Sequence, residues 1–225
     1  MSARGAVLRH VEGELAAGRL HVGDRLPGER ALGTQLGISR PSVREGIRVL
    51  EAMGVIRTAV GSGPDAGAVV VANTSAGITS ALRLHLASST LPVADVVRTR
   101  VLLETWSVRE ASRRRDPEQL AEAQTLLDAM DADRTVEEFL RLDAEFHVTL
   151  CRAAGNAVVA AIMTSLRDAI HGYVLAAAPP DWAPMARRLR RQHRNVLDAV
   201  GTGDGERAAR LVARHIEGYY RANPM

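Results

Sequence analysis

The stretch from Leu26 to Ile56, LPGERALGTQLGISRPSVREGIRVLEAMGVI, constrains this chain more than any other. It reads as two short helices with a tight turn between them. Pro27 stands where a first helical turn tolerates a missing N–H, and Ala31, Leu32 and Leu36 supply an apolar edge. Gly37 follows as the residue best able to take a left-handed conformation past a helix end. Ser39 then offers its oxygen to the first backbone N–H groups of a second helix, expected to run to about Met53, ahead of Gly54. The buried face of that helix is Val43, Ile47 and Leu50, at i, i+4 and i+7.

Arg40, Arg44 and Arg48 fall beside that face at i, i+4 and i+8. Like charges at this spacing mildly destabilise an isolated helix, so the stripe makes sense if a polyanion neutralises it. Ser39 and Ser42 add short donors at the same end. A helix-turn-helix presents its recognition helix to the DNA major groove in this way. The plainer alternative is a solvated helical hairpin. Arg48 has Glu45 and Glu51 within three residues, whereas Arg40 and Arg44 have no obvious acidic partner one turn away.

After the second helix comes a β-branched run, Val55 to Val60, then the turn residues Gly61-Ser62-Gly63-Pro64-Asp65-Ala66-Gly67, then Ala68-Val69-Val70-Val71. That is the pattern of a hairpin wing. The stretch runs from Gly18-Arg19-Leu20 and Gly23-Asp24-Arg25-Leu26-Pro27-Gly28-Glu29-Arg30 through Ser39-Arg40-Pro41-Ser42-Val43-Arg44-Glu45 to Gly61-Ser62-Gly63. As a whole it resembles the winged helix-turn-helix of the GntR family of bacterial transcription regulators. The resemblance implies DNA contacts by Arg30, Ser39, Arg40, Ser42, Arg44 and the wing-tip Gly61. The wing departs from the family pattern in its extra Pro64-Asp65-Ala66-Gly67 and in having no basic residue at its tip.

Composition supports a division of labour. Up to Ser62 there are 9 Arg against 6 Asp and Glu; from Gly63 onward acids and bases balance, so the whole net charge of +3 sits at the N-terminal end. That suits a DNA-binding head on a neutral body. Only 3% of residues are aromatic, which disfavours single-stranded nucleic acid read by base stacking. The single cysteine, Cys151, cannot form an intrachain disulfide and fits a reducing cytoplasm. With no signal-peptide pattern and no run of about 18 apolar residues, a cytoplasmic protein without a membrane partner is expected. The absence of lysine favours bidentate arginine contacts, although a GC-rich genome produces the same bias.

A first helix over residues 3 to 17, with Val7, Val11 and Leu15 at four-residue spacing, is expected to pack under the recognition helix. Beyond Asn73 to Gly77 nearly every segment reads as helical: about 75 to 88, 93 to 115, 117 to 131, 135 to 154, 156 to 177, 183 to 200 and 204 to 222. The expected fold is mainly α, a winged helix-turn-helix domain over residues 1–72 and an all-α effector-binding and dimerisation domain over 73–225.

Polar residues on apolar stripes mark a second site. Asp143 and His147 interrupt Phe139, Phe146 and Leu150; His193 interrupts Leu189, Val196, Leu197 and Val200; His215 interrupts Ala208, Leu211, Val212 and Tyr219. A carboxylate facing a core must be paired, protonated or bound to a metal. A single core histidine is most often satisfied by backbone, but three of the seven histidines and an aspartate share this placement. Asp143 and His147 at i, i+4 offer an oxygen and a nitrogen to one ion, and the donor set suits Zn²⁺ or alternatively Ni²⁺, Co²⁺ or Mn²⁺. Arg100, on the stripe Val93, Val96, Val97 and Val101, is either a buried partner of Glu104 or a clamp for a carboxylate ligand. As a clamp, Arg100→Ala would keep metal and DNA binding and lose the response to ligand.

Arg100-Val101-Leu102-Leu103-Glu104, Asp143-Ala144-Glu145-Phe146-His147 before Gly155-Asn156, His193-Arg194 before Leu197-Asp198-Ala199, and Gly203-Asp204 ahead of Ala208 and His215-Ile216 resemble the helical effector (FCD) domain of the FadR branch of GntR regulators. That resemblance implies a homodimeric repressor or activator, of which the repressor is the preferred reading. It implies that a palindromic double-stranded DNA operator is released when a small organic acid binds at a divalent metal held by Asp143, His147, His193 and His215. Two other functions compete: a hydrolytic enzyme using the same ion, and a sensor of the metal itself. No glutamate or serine stands at a motif spacing for a general base or nucleophile, which counts against the enzyme.

Overall fold

The computed structural model describes residues 3–59 and 67–222. It divides into two compact units, residues 1–78 and 79–225. Among the described residues there are ten helices and one two-stranded sheet.

The first unit contains α1 (Ala3–Ala16), α2 (Glu29–Leu36), α3 (Arg40–Ala52), β1 (Ile56–Ala59) and β2 (Gly67–Val70). Helix α2 starts two residues later than Pro27 suggests, with Gly28 as its N-cap, and Ala31 is exposed while Leu32 and Gly33 are buried. Gly37 adopts φ 65°, ψ 32°, which ends α2 and turns the chain. The Ser39 side chain accepts from the Ser42 N–H and caps α3, with Pro41 in the first turn. Val7, Val11, Leu32, Val43, Ile47 and Leu50 close the core with Ile56 and Val70 of the hairpin. The α1–α3 packing is tight: a Cβ built on Gly46 would stand 2.6 Å from Val7 Cβ.

β1 and β2 pair antiparallel from Ile56↔Val70 to Ala59↔Gly67. The segment before α2 adds to their edge, through an Arg25↔Val69 bridge and the Leu26 N–H donating to the Ala68 carbonyl at 2.9 Å. Gly61 lies outside the described residues.

The second unit is helical: α4 (Ala76–Ala87), which spans the division, α5 (Val93–Arg114), α6 (Pro117–Asp131), α7 (Val136–Ala153), α8 (Ala157–Ala176), α9 (Ala183–Gly201) and α10 (Gly205–Ala222). Their starts follow from local chemistry. Asp116 accepts from the N–H groups of Glu118 and Gln119, Thr135 and Glu138 form a reciprocal capping box, and Asn156 caps α8. The main core joins α5, α6, α7, α9 and α10 through residues such as Val108, Leu127, Phe139, Phe146, Leu189, Val196 and Val212. Helix α8 is long and apolar enough to cross a membrane by length and composition, yet Met163, Leu166 and Ile170 are buried in the bundle and so is Arg167.

Candidate functional site

In the first unit, Arg30, Ser39, Arg40 and Arg44 are exposed and Ser42 is half-buried. Ser39 is committed locally: besides capping α3, its hydroxyl lies 2.9 Å from that of Ser42. Arg40 and Arg44 have no acidic partner one turn away on α3, but an acid from α2 reaches both. Glu29, at the start of α2, accepts from Arg44 Nε at 2.9 Å and Nη2 at 2.8 Å, and stands 4.0 Å from Arg40 Nη2. The pairing lowers the Glu29 carboxyl pKa, chiefly through its hydrogen bonds with Arg44. A separation of 15 residues hides this fork-to-fork pair from any one-turn rule. Glu51, offered as a partner for Arg48, instead accepts from the Thr58 N–H at 2.8 Å and from its hydroxyl at 2.5 Å.

In the second unit, Asp143 and His147 of α7, His193 of α9 and His215 of α10 converge and are all buried. One donor atom from each falls within 4.8 Å of all the others. His147 Nε2 and His193 Nε2 each lie 3.2 Å from His215 Nε2, and Asp143 Oδ1 lies 3.0 Å from His193 Nε2 and 3.8 Å from His147 Nε2. Ligand atoms about 2.0–2.1 Å from one ion stand about 3.3 Å apart in a tetrahedron and about 2.9 Å apart in an octahedron. The observed edges, 3.0 to 3.8 Å, bracket the tetrahedral value.

Two of the three outer ring nitrogens have an oxygen beside them, and His193 Nδ1 is buried with no hydrogen-bond partner among the described residues. His147 Nδ1 meets Glu104 Oε2, and His215 Nδ1 lies 3.0 Å from Gln192 Oε1. Assigned from these acceptors, both rings carry their proton on Nδ1, so their Nε2 lone pairs face each other across 3.2 Å. Two such lone pairs repel unless a cation lies between them. Burial pushes the His215 pKa well down, helped by the neighbouring imidazoles, and burial lowers His147 against the pull of Glu104. Convergent imidazole nitrogens beside a carboxylate are the donor set that a divalent metal takes. The residues fit the ion.

Charge around the cluster is paired. Glu104 Oε1 accepts from Arg100 Nε at 3.0 Å and Nη2 at 2.9 Å, and Arg100 Nη1 donates to the Tyr220 hydroxyl at 2.7 Å. Burial opposes the charged form of Asp143, but Arg167 Nη2, bonded to Oδ2, and His193 hold its carboxyl well below the usual range. Burial likewise works against the Glu104 carboxylate, and His147 and Arg100 outweigh it. The Cys151 thiol is pushed up to about 12, first by burial and then by Glu104. Arg100, Asp143, Arg167, His215, Tyr219 and Tyr220 line a cavity of about 20 Å³, enough for one water.

Arg167 and Gln192 join the cluster beyond the residues expected from the sequence. Arg167 was open to the test that found the histidines, since it interrupts Met163, Leu166 and Ile170 on α8. Gln192 precedes His193 but serves His215 on another helix, and nothing in its local spacing signals that.

Residues 95–218 match the FCD domain, and residues 4–64 match the family of bacterial regulatory proteins called gntR. The "Glc operon transcriptional activator" of Escherichia coli (strain K12) is 30% identical over 204 residues, covering 86% of this chain and 78% of that protein. The "HTH-type transcriptional repressor NanR" of Cronobacter sakazakii is 28% identical over 213 residues, covering 88% and 76%. Among solved structures, Streptococcus agalactiae GntR superposes with a TM-score of 0.68 over 97% of this chain and 99% of its own, at 21% identity, which speaks to fold alone.

Proposed function

Because this chain belongs to the GntR family of bacterial regulatory proteins and carries an FCD domain, it is a transcription regulator rather than an enzyme, and we propose that it answers to a small organic acid. In this reading, a homodimer of the FadR branch works in the cytoplasm and binds a palindromic operator through Arg30, Ser39, Arg40, Ser42 and Arg44. Asp143, His147, His193 and His215 hold one divalent ion, Zn²⁺ by preference. The carrying observation is the meeting of three imidazole Nε2 atoms and a carboxylate oxygen in a buried cluster whose charges are otherwise paired.

The chain's own residues prepare that site. Glu104 and Gln192 fix the tautomers of His147 and His215, and Arg167 takes one Asp143 oxygen and leaves the other to face the rings. A bound ion supplies a Lewis-acidic position for a carboxylate. The acid alters DNA affinity only as far as it binds the DNA-competent and DNA-incompetent dimers differently. Relatives are named both as activator and as repressor; release of DNA on effector binding, as in a repressor, is the direction inferred.

Metal content after exhaustive chelation, followed by operator binding of the metal-free, metal-restored and acid-supplemented forms, tests the reading. A response to carboxylates that needs the metal is expected. A response to metal alone would make the protein a metal sensor.

A further inference from the structure

The charged side chains around the metal-ligand cluster cancel pairwise. Arg100 and Glu104 are 3% and 2% exposed and bonded to each other; Arg167 and Asp143 are 9% and 8% exposed and likewise bonded. A divalent ion brings two further positive charges into this enclosure, and buried charge without a counter-charge is costly. Balance therefore calls for two negative charges from whatever binds beside the ion.

The two guanidinium groups are placed to receive them. Arg100, from α5, uses Nε and Nη2 on Glu104 and Nη1 on Tyr220, leaving two of its five N–H groups. Arg167, from α8, donates through Nη2 to Asp143 and to no other acceptor among the described residues. Both line the same small cavity, with the His215 ring on its wall. Two planar forks carried by separate helices suit two separate anionic groups. A phosphate monoester would place both charges at one end.

We propose that the effector is a dicarboxylate, with one carboxylate at the metal and Arg100 and the second gripped by Arg167, which makes Arg167 the residue that selects for a second negative charge. This rests on the metal-dependent reading given under Proposed function. The cavity holds about one water, so side chains of its wall, Tyr220 on Arg100 among them, move to admit a three- or four-carbon acid.

The test uses the full chain loaded with Zn²⁺, with metal content measured on every sample. Malonate, succinate and malate are titrated calorimetrically beside their monoamides, which keep the shape and lose one charge. At least one diacid is expected to bind about tenfold or more tightly than its monoamide, the effect of one well-placed charged contact. Arg167→Gln should cut that ratio to about threefold or less, the diacid losing more affinity than its monoamide. Should Arg167→Gln shed its metal, Arg167→Lys keeps the charge without the fork and should show the reduced ratio with metal bound. Equal affinity for acid and monoamide in the wild type, no binding by any of these acids or monoamides, or an undiminished ratio in the variants overturns the proposal. So does metal loss in both variants, which would make Arg167 a structural partner of Asp143 only. Failure of the wild type to hold metal at all strikes the metal reading itself, and the metal assay separates the two.

Discussion

Glu29 accepts both nitrogens of the Arg44 fork, and that contact changes what the arginine stripe of α3 means. Arg44 has its Nε and one Nη2 N–H on Glu29, which leaves three of its five N–H groups for another acceptor. Both partners are substantially exposed, 53% and 30%, so the pair adds at most about 1 kcal/mol to stability. Arg44→Ala should therefore leave the fold intact and weaken operator binding by about 1–3 kcal/mol, read by fluorescence anisotropy at fixed salt. Wild-type affinity in that variant would take α3 out of the DNA interface. Arg100 is the opposite case. Its removal leaves Glu104 buried and unpaired while that carboxylate holds His147, so Arg100→Ala should cost about 3–5 kcal/mol in denaturant unfolding and weaken metal binding. The sequence alone suggested that this substitution keeps metal and DNA binding and loses only the response to ligand; with Glu104 bonded to Arg100 and set against His147, loss of metal is expected as well. The same buried groups set a pH dependence. His147 and His215 titrate below the ordinary 6.5 when folded, so under acid the unfolded chain binds protons that the folded site refuses. Stability of the metal-free protein should be full above about pH 7 and fall as pH drops through 6.5, by up to about 1.4 kcal/mol per pH unit for each ring. The depressed carboxyls of Asp143 and Glu104 stabilise above their unfolded pKa values, and that share is lost at lower pH. A melting temperature flat from pH 8 to 5 in chelator would contradict neutral buried rings.

Helix α3 is held from beneath by α1, and the contact depends on a missing side chain. Gly46 meets Val7 so closely that an added methyl has to displace it. Gly46→Ala should destabilise the first unit by about 1–3 kcal/mol, and Val7→Ala in the same chain should recover part of the loss, in thermal melts of the double-mutant cycle. Additive losses would mean that α1 and α3 adjust independently. Helices α7, α9 and α10 each contribute ligands from a face that is otherwise core, so their packing positions the site.

At the scale of the molecule, metal and stability are linked. Removing an ion that holds α7, α9 and α10 together leaves facing lone pairs, and the melting temperature of the helical unit should drop on chelation and return with Zn²⁺. No change on chelation would argue against a resident ion. Effector and operator should be coupled by about 1–3 kcal/mol, a 5- to 150-fold change in operator affinity. Reciprocally, operator DNA should alter effector affinity by the same factor, and calorimetry with and without DNA measures both sides.

Local physical chemistry was written in the chain. Asp116, Thr135 and Asn156 mark helix starts because a cap acts within three residues, and Gly37 marks the turn because it takes a left-handed conformation. Asp143, His147, His193 and His215 stood out because a polar group on an apolar stripe faces a core and needs a partner there. Which partner each one finds was decided only in three dimensions. Arg167 with Asp143, Gln192 with His215, Glu104 with His147 and Glu29 with Arg44 all pair across different helices. No spacing rule joins residues on separate helices, because packing angles and side-chain directions set those distances. The sequence determined which groups are buried and need compensation, and the tertiary structure determined which charge compensates which.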